Sequence, residues 1–229
     1  MNTLCTICVR GGSKGVPGKN IKLINGRPLI EYTIEQAQKS RVFDNIVIST
    51  DSKKISSIAK KMGLDVWFLR PKRLASDTAP KIPVIVHALK KAETYFKKQY
   101  STIVDLDATS PLREVGDIHN SLKKFKSENC ANLITVCKSR KNPYFNMVEK
   151  INDKFVLVKE SKIPIIRRQD APEIYEMNAS IYIWSRSQLL SNDQLINKST
   201  SCYIMPEHRS IDIDSDDDFR YVEYLMKIK

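Results

Sequence analysis

The chain has 229 residues, of which 41% are hydrophobic and 28% are charged, and its formal net charge is +12. A chain of this length can bury a sizeable core, so its folding requires neither disulfides nor a structural metal. No apolar run approaches the ~20 residues of a membrane span, and the N-terminus lacks the pattern of a signal peptide. We therefore expect a protein of the cytoplasm that has no membrane partner.

The positive charge is typical of proteins that bind nucleic acid, an anionic membrane or a very anionic small substrate. The sequence has no run of five or more like charges, and its aromatic residues do not alternate with basic ones as a base-stacking surface requires. A nucleic-acid partner is therefore not expected, although charge alone decides little.

Five cysteines are present, an odd number that does not suggest a disulfide framework. Cys5 and Cys8 form a C-x-x-C pattern, but they lie in a predicted strand, where residues three apart point to opposite faces. No second pair follows at zinc spacing. We interpret both as small buried residues rather than as a metal or redox site.

The first 140 residues alternate short apolar runs with helical patterns. The predicted strands are 4–9, 46–49, 66–69, 102–106 and 133–137, and the predicted helices are 28–39, 52–62, 83–96 and 115–125. Such alternation predicts right-handed βαβ units. The expected fold is therefore α/β, with a mainly parallel, doubly wound sheet that carries helices on both faces.

The pattern changes near residue 138. Residues 144–158 predict a β-hairpin that turns at Asn152 and Asp153, residues 180–184 predict a strand, and residues 216–228 predict a closing helix. We expect a single domain over residues 1–229, with an inserted β-rich arm at 140–178.

The strongest motif is V-R-G-G-S-K-G-V-P-G-K-N at residues 9–20, which has four glycines and follows the first strand. Glycines let backbone N–H groups approach phosphate oxygens, and the cations Arg10, Lys14 and Lys19 can stabilise a departing pyrophosphate. The motif matches neither the Walker nor the dinucleotide-binding pattern. The alternative is a mobile surface turn, but the position after the first strand favours a phosphate site.

This loop resembles the signature of the acylneuraminate cytidylyltransferases, the CMP-sialic acid synthetases. Further segments resemble the family in the same order along the chain: S-T-D at 49–51, L-R-P at 69–71, L-A-S-D-T at 74–78, T-S-P-L-R at 109–113, R-Q at 168–169 with N-A-S-I-Y at 178–182, and I-D-I-D at 211–214. Six such matches over ~210 residues are specific. D-A-T-S-P-L-R and Y-E-M-N-A-S-I-Y-I are most similar to the branch that acts on legionaminic-type acids.

The resemblance implies a nucleotidyltransferase-type (Rossmann-like) fold and a role for each matching residue. The implied triphosphate and catalytic residues are Arg10, Lys14 and Lys19. The other implied nucleotide contacts are Gly11, Gly12, Ser13, Asn20 and Ser76, with Arg70 at the cytosine. The implied sugar contacts are Asp107, Thr109, Arg168, Gln169 and Asn178. The implied metal ligands are Asp212 and Asp214, for Mg²⁺ or, as a second option, Mn²⁺.

The residues alone also favour a metal-binding role for the acidic pair. Asp212 and Asp214 are two apart, so they would share one face of a strand, and Mg²⁺ prefers a few carboxylates together with substrate phosphates. The alternative is a solvated acidic segment whose aspartates favour the N-terminus of the closing helix. Asp216, Asp217 and Asp218 fit that alternative, whereas Asp212, between two isoleucines, does not.

Two departures from the family pattern lie on the sugar side. Asp107 replaces a glutamine of the sialic acid enzymes, and Y-E-M-N at 175–178 replaces F-R-P-N. Both leave the CTP side intact and leave the sugar open. Asp107 would help to select a legionaminic-type acid, or alternatively would only cap the turn at Thr109 or Ser110.

The expected reaction is an attack by the anomeric hydroxyl of a nine-carbon acidic sugar on the α-phosphate of CTP, with release of pyrophosphate. No dedicated general base is evident, because His87, His119 and His208 are isolated. The resemblance also implies a homodimer built partly from the arm. The alternatives are an enzyme of the same fold for 3-deoxy-manno-octulosonate, which Gly11 and Gly12 disfavour, a basic nucleic-acid-binding protein, and a non-catalytic sensor.

Overall fold

A computed structural model describes residues 2–191 and 194–228 of the chain. The strands in these ranges are β1 (Thr3–Cys8), β2 (Leu23–Ile24), β3 (Arg27–Pro28), β4 (Asn45–Ser49), β5 (Thr102–Leu106), β6 (Asn132–Lys138), β7 (Val148–Ile151), β8 (Lys154–Leu157), β9 (Tyr175–Ser185) and β10 (Thr200–Ile204). The α-helices are α1 (Leu29–Ser40), α2 (Lys53–Lys61), α3 (Lys81–Phe96), α4 (Val115–Glu128), α5 (Arg186–Ser191) and α6 (Asp216–Lys227).

The central sheet has six strands in the order β10-β6-β9-β5-β1-β4. Strand β9 runs antiparallel to both of its neighbours, β5 and β6, and the other three pairs are parallel. The mainly parallel sheet expected from the sequence is therefore confirmed. Its carboxyl edge, where ligands of such sheets bind, is the edge at which β1, β4 and β5 end.

Helices cover both faces of this sheet. On one face, α1, α2 and α4 pack around Cys5, Ile7 and Leu106. On the other face, α3 and α5 pack around Leu4 and Ile103. Adjacent residues of β1 thus enter opposite cores, as strand geometry requires. A smaller third cluster joins the hairpin β2–β3 to α6.

Cys5 and Cys8 lie on opposite faces of the sheet, as predicted, but Cys8 is half-buried and not fully buried. Cys5 is buried in one core, while Cys8 packs against the other, so the C-x-x-C pair is divided between the two faces. All five cysteines are free. Burial, followed by the charge of Asp105, raises the pKa of both thiols well above the ordinary value.

The strand predicted at 66–69 is wrong. Residues 66–69 are irregular and have no strand partner in the described chain. Their apolar side chains serve another purpose, since Trp67 stacks on Tyr95 with ring centroids 4.1 Å apart. The segment passes the end of β4, where the Arg70 N–H donates to the Thr50 carbonyl at 2.7 Å.

The predicted hairpin at 144–158 is present as β7 and β8, which form a separate two-stranded sheet. Asn152 and Asp153 both have positive φ, 47° and 62°, as a two-residue turn between twisted strands requires. All eight strand residues are exposed.

None of the helices in residues 2–191 and 194–228 is long and apolar enough to cross a membrane.

Candidate functional site

The glycine-rich loop follows β1 and is fixed at two close backbone approaches. The Gly11 N–H donates to Asp51 Oδ1 at 2.8 Å, and a Cβ on Gly11 would lie 2.9 Å from the Cβ of Ser52. A Cβ on Gly15 would lie 2.1 Å from the carbonyl oxygen of Asp214. Since real Cβ contacts do not approach so closely, both positions need glycine. The loop is therefore packed and is not a free surface turn.

Lys19 joins this loop to the acidic pair. Its Nζ donates to the Ile213 carbonyl and lies 3.3 Å from Asp214 Oδ1, and its side chain is only 12% exposed. Asn20, the next residue, is buried and donates from Nδ2 to the Arg10 carbonyl at 3.0 Å. Two segments 195 residues apart in the chain thus meet at one end of the sheet.

A cavity of about 280 Å³ opens beside the loop. It is lined by Cys8, Arg10, Arg70, Leu74, Ser76, Asp77, Ala79, Lys81 and Val84. The structure thereby brings together three predicted nucleotide contacts, Arg10, Arg70 and Ser76. Of the remaining loop positions, Gly12 is exposed and Ser13 is half-buried.

Arg70 is only 6% exposed, and its Nε has no hydrogen-bond partner. Burial lowers its pKa, although the charges of Cys8 and Asp51 oppose this effect. A buried guanidinium with an unused N–H donor is costly unless a ligand oxygen accepts from it. This is the environment expected of a residue that contacts a nucleotide.

Asp77 is a residue of this region for which the sequence predicted no individual role. It lies 2.8 Å from Lys14 Nζ and also accepts from Arg10. These hydrogen bonds, that from Lys14 first, hold the pKa of Asp77 below its ordinary value. The two loop cations are thus bound to the A-S-D-T segment.

The acidic pair lies in irregular chain, so the expectation that Asp212 and Asp214 share one face of a strand is wrong. Residues 211–214 form no strand, and a hydrogen bond from Ile213 N to the Thr109 carbonyl at 3.0 Å holds the segment. The buried side chain is Ile213, which packs with α6. Because α6 has its own N-terminal cap in Ser215, the helix does not depend on Asp212 or Asp214 for capping.

Asp212 is the least satisfied carboxylate of the site. Its Oδ1 is buried without a hydrogen-bond partner. Burial, together with the charges of Asp107 and Asp214, raises its pKa to about 6. A cation would relieve this cost, so the residues fit a metal. No group of three or more His, Cys, Asp or Glu is arranged for a metal within residues 2–191 and 194–228, so phosphate and water would complete the shell, as Mg²⁺ prefers.

Asp107 lies at the end of β5, between the cavity and the acidic pair. Its Oδ2 is 2.9 Å from Lys81 Nζ, and its Oδ1 accepts from Thr109 Oγ1 at 3.1 Å. Burial would raise the pKa of Asp107, but Lys81 and Thr109 together lower it. The predicted contact of Asp107 with Thr109 is therefore present, and Lys81 is a second partner that the sequence did not predict.

The remaining sugar-side predictions fall in two different places. Arg168 and Gln169 line a second cavity of about 500 Å³, which shares no lining residue with the first. Asn178 is buried, where its Nδ2 donates to Ser210 Oγ at 2.9 Å and its Oδ1 accepts from Ser180 N. The structure does not bring Asn178 to either cavity, and its contacts position the segment that leads to Asp212.

Arg113 is a further residue that the sequence reading did not assign. It is fully buried, and it donates to the Asp107 carbonyl at 3.2 Å, to the Ser180 carbonyl at 2.8 Å and to Gln36 Oε1 at 2.9 Å. Burial lowers its pKa to about 10. This guanidinium fixes the turn after β5 against β9 and α1.

Residues 4–212 match the family model described as Cytidylyltransferase. The chain belongs to the cytidylyltransferase family. It is therefore a nucleotidyltransferase, as predicted. It is 50% identical to the post-translational flagellin modification protein B of Campylobacter coli and 49% identical to the CMP-N,N'-diacetyllegionaminic acid synthase of Campylobacter jejuni. Both matches cover 99% of this chain and 95% of the relative.

The fold of this cytidylyltransferase also matches a solved structure of CMP:2-keto-3-deoxy-manno-octonic acid synthetase complexed with CTP. The TM-score is 0.73 at 16% identity, and the match covers 100% of this chain and 99% of the other. At that identity the likeness concerns the fold alone. The predicted nucleotidyltransferase-type fold is confirmed.

Proposed function

We propose that this cytidylyltransferase transfers CMP from CTP to a nine-carbon acidic sugar of the legionaminic type and releases pyrophosphate. The observation that carries the proposal is the junction of the glycine loop with the acidic pair, made by Gly15 and Lys19 against residues 213–214. A phosphate-binding loop and a candidate metal site so placed can act on one triphosphate. The name of the Campylobacter jejuni relative supports the choice of sugar.

The residues of the loop would bind and stabilise the leaving group. Arg10 and Lys14 pair with Asp77, and Lys19 pairs with Asp214. The phosphates of CTP would replace these carboxylates as partners, and the cations would then stabilise the charge that develops on pyrophosphate. Arg70, with its unused N–H, would contact the cytosine.

Asp212 and Asp214 are the residues that would hold Mg²⁺ or Mn²⁺. When bound, the metal would neutralise phosphate charge and lower the pKa of the attacking hydroxyl. Asp212 contributes a buried oxygen that has no partner in the protein, and Asp214 contributes an exposed carboxylate beside Lys19. The two are thus positioned at the loop that would carry the triphosphate.

For the sugar, we propose contacts from Asp107 and Thr109 and, from the second cavity, Arg168 and Gln169. Asp107 directly follows β5 at the edge of the sheet where ligands bind, and part of its side chain is exposed. It would accept from an amide N–H or a hydroxyl of the sugar, whereas the glutamine of the sialic acid enzymes can also donate.

We also propose a homodimer that forms through the arm, in the cytoplasm. The arm exposes a set of large apolar side chains, which a second copy could cover: Met147, Val148, Ile151, Phe155, Ile163 and Ile166. Free cysteines are typical of proteins in a reducing compartment.

The test is an assay of the protein with Mg²⁺, each of the four nucleoside triphosphates and a panel of acidic sugars. The panel includes N,N'-diacetyllegionaminic acid, N-acetylneuraminic acid and 3-deoxy-manno-octulosonate. We expect pyrophosphate and CMP-sugar with CTP and the first acid, and much slower turnover with UTP, ATP or GTP. Equal turnover of all four nucleotides, or a preference for the octulosonate, would contradict the proposal.

A further inference from the structure

Lys81 is the first residue of α3 and lies between the nucleotide cavity and Asp107. Its Nζ is 3.1 Å from Asp105 Oδ2 and 2.9 Å from Asp107 Oδ2. The same nitrogen lies 4.2 Å from the centroid of the Tyr182 ring. Two carboxylates and an aromatic face therefore surround one ammonium group, and the loop cations have no such surroundings.

These partners leave Lys81 poorly suited to bind phosphate. Asp105 is buried, and its other oxygen accepts from Thr6 Oγ1 at 2.7 Å, so Lys81 is the cation in direct contact with this buried carboxylate. The ammonium group is thus engaged by two carboxylates, and the Arg113 guanidinium is a second cation close to Asp107. Arg10, Lys14 and Lys19, which stand on the glycine loop, are the cations available to a triphosphate.

The contacts of Lys81 instead define the position of Asp107. One carboxylate oxygen is held by Lys81 and the other by Thr109, while the Asp107 carbonyl accepts from Arg113. The side chain of Asp107 is nevertheless 22% exposed. Its Oδ1 already accepts from both the N–H and the hydroxyl of Thr109, whereas its Oδ2, held by Lys81, can accept a further hydrogen bond. The carboxylate is thus held in orientation, partly neutralised and reachable from solvent.

We propose that Lys81 is a positioning residue for the acceptor sugar. It holds and neutralises Asp107, so that an anionic sugar can approach and donate an N–H or O–H to this carboxylate. Without the ammonium group, Asp107 would repel the carboxylate of the sugar and would lose one of the contacts that fix it. This inference rests on the proposed function.

The first test compares Lys81→Met with Lys91→Met, a matched exposed lysine on the same helix. We expect Lys81→Met to raise the KM for N,N'-diacetyllegionaminic acid about tenfold or more, the size of effect typical of a charge-assisted hydrogen bond. The KM for CTP should stay within about threefold of the parent. A larger rise in the KM for CTP than for the sugar would make Lys81 a nucleotide ligand and overturn the proposal.

The second test asks whether Lys81 acts through Asp107. In an Asp107→Asn background the carboxylate is already neutral, so we expect Lys81→Met to change the KM for the sugar less than about threefold. Independent effects that multiply in the double variant would overturn the proposal, because residues that act on one another are not additive.

Loss of Lys81 also leaves Asp105 buried without its cation, so thermal melting is measured for each variant. If Lys81→Met does not fold, Lys81→Met with Asp105→Asn removes both charges, and the same rise in the KM for the sugar is expected. Failure of the parent protein to make any CMP-nonulosonate would overturn the proposed function and the role of Lys81 together. A parent that is active, with variants of unchanged KM for the sugar, would overturn the role of Lys81 alone.

Discussion

The glycine loop and the β-rich arm are both surface segments. Contacts within one chain fix the loop, but they leave the apolar side chains of the arm exposed. The loop is tied to Asp51, Ser52 and Asp214 by close backbone contacts, and its cations are paired with carboxylates. The arm has no comparable attachment for its apolar side chains. Phe155 is 71% exposed and Ile166 is 84% exposed.

The difference indicates which part of the reaction each region can serve alone. The candidate nucleotide site lies within a single chain, because the loop, Arg70 and the acidic pair lie around one end of the sheet. The arm presents an apolar surface that water disfavours. If the loop region is the reactive unit and the arm needs a second copy, substitutions in the two regions should differ in kind and in size of effect.

The largest effect is expected for Asp214→Ala. If Asp214 holds the metal as proposed, its loss should remove several kcal/mol of transition-state stabilisation, so turnover should fall about a thousandfold while the protein stays folded. Steady-state rates at saturating Mg²⁺ measure this. The control is Asp217→Ala, an exposed aspartate in the first turn of α6. Activity within about threefold of the parent would show that Asp214 binds no essential metal.

Gly15→Ala should cost about a hundredfold in kcat/KM, because a Cβ 2.1 Å from the Asp214 carbonyl must push the loop and the acidic segment apart. Gly116→Ala is the control, since its Cβ would have no neighbour within 4 Å. Equal kinetics for the two variants would mean that the junction does not position the reacting groups.

Replacing Phe155 and Ile166 by serine should weaken self-association about thirtyfold or more, because each side chain would bury apolar area in a dimer. Light scattering over a range of micromolar concentrations measures the dissociation constant. Tyr224→Ser, which changes an exposed ring on α6, should have no effect. A parent protein that is monomeric throughout this range would refute the dimer.

The pKa of Asp212 predicts a pH effect on stability. Because burial raises this pKa from 3.8 to about 6, the folded carboxylate loses its proton at a higher pH than the unfolded one. The free energy of unfolding therefore decreases as pH rises from about 4 to about 6, by at most about 3 kcal/mol.

Asp212→Asn, in the presence of EDTA, should consequently be more stable than the parent above pH 6 and similar to it near pH 4. Chemical denaturation at the two pH values measures this. Added Mg²⁺ should raise the melting temperature of the parent but not that of Asp212→Asn. An asparagine variant that is less stable than the parent at pH 8 would show that burial of the charged Asp212 carboxylate does not destabilise the protein.

Asp107→Gln should give the smallest effect, a shift of about tenfold in the ratio of kcat/KM values toward N-acetylneuraminic acid. The reason is the value of a hydrogen bond to a charged group, roughly 1.5–3 kcal/mol. Competition between the two sugars in one reaction measures the ratio. If activity is retained and the ratio is unchanged, Asp107 does not select the sugar, and its role is limited to its contacts with Thr109 and Lys81.

Periodicity predicted the βα units well because buried strands and amphipathic helices leave a local trace. The strand predicted at 102–106 coincides with β5, and the helix predicted at 115–125 lies within α4. The same reasoning failed at 66–69, where an apolar run packs its rings against α3 instead of pairing. It also missed β10, whose sequence T-S-C-Y-I has only a short apolar run and no alternation of apolar and polar residues.

For the candidate site, the spacing of glycines singled out a loop that approaches Asp51 and Asp214 closely, because such backbone approach requires glycine wherever it occurs. Lys81 and Asp77 belong to no such pattern of glycines and cations. They are one lysine among 38 basic residues and one aspartate among 26 acidic residues, and only the fold brings them to Asp107 and to Arg10. Asn178 matched the family motif, but its side chain faces Ser210.

The antiparallel strand β9 has a consequence for synthesis of the protein on the ribosome. It lies between β5 and β6, and it also supplies the Ser180 acceptors of Arg113. When the first 138 residues have been made, β6 therefore has no strand to join it to β1, β4 and β5, and the edge of β5 is open. The sheet can close only after residue 185 has left the ribosome, so four-fifths of the chain must emerge before the nascent protein can complete its core.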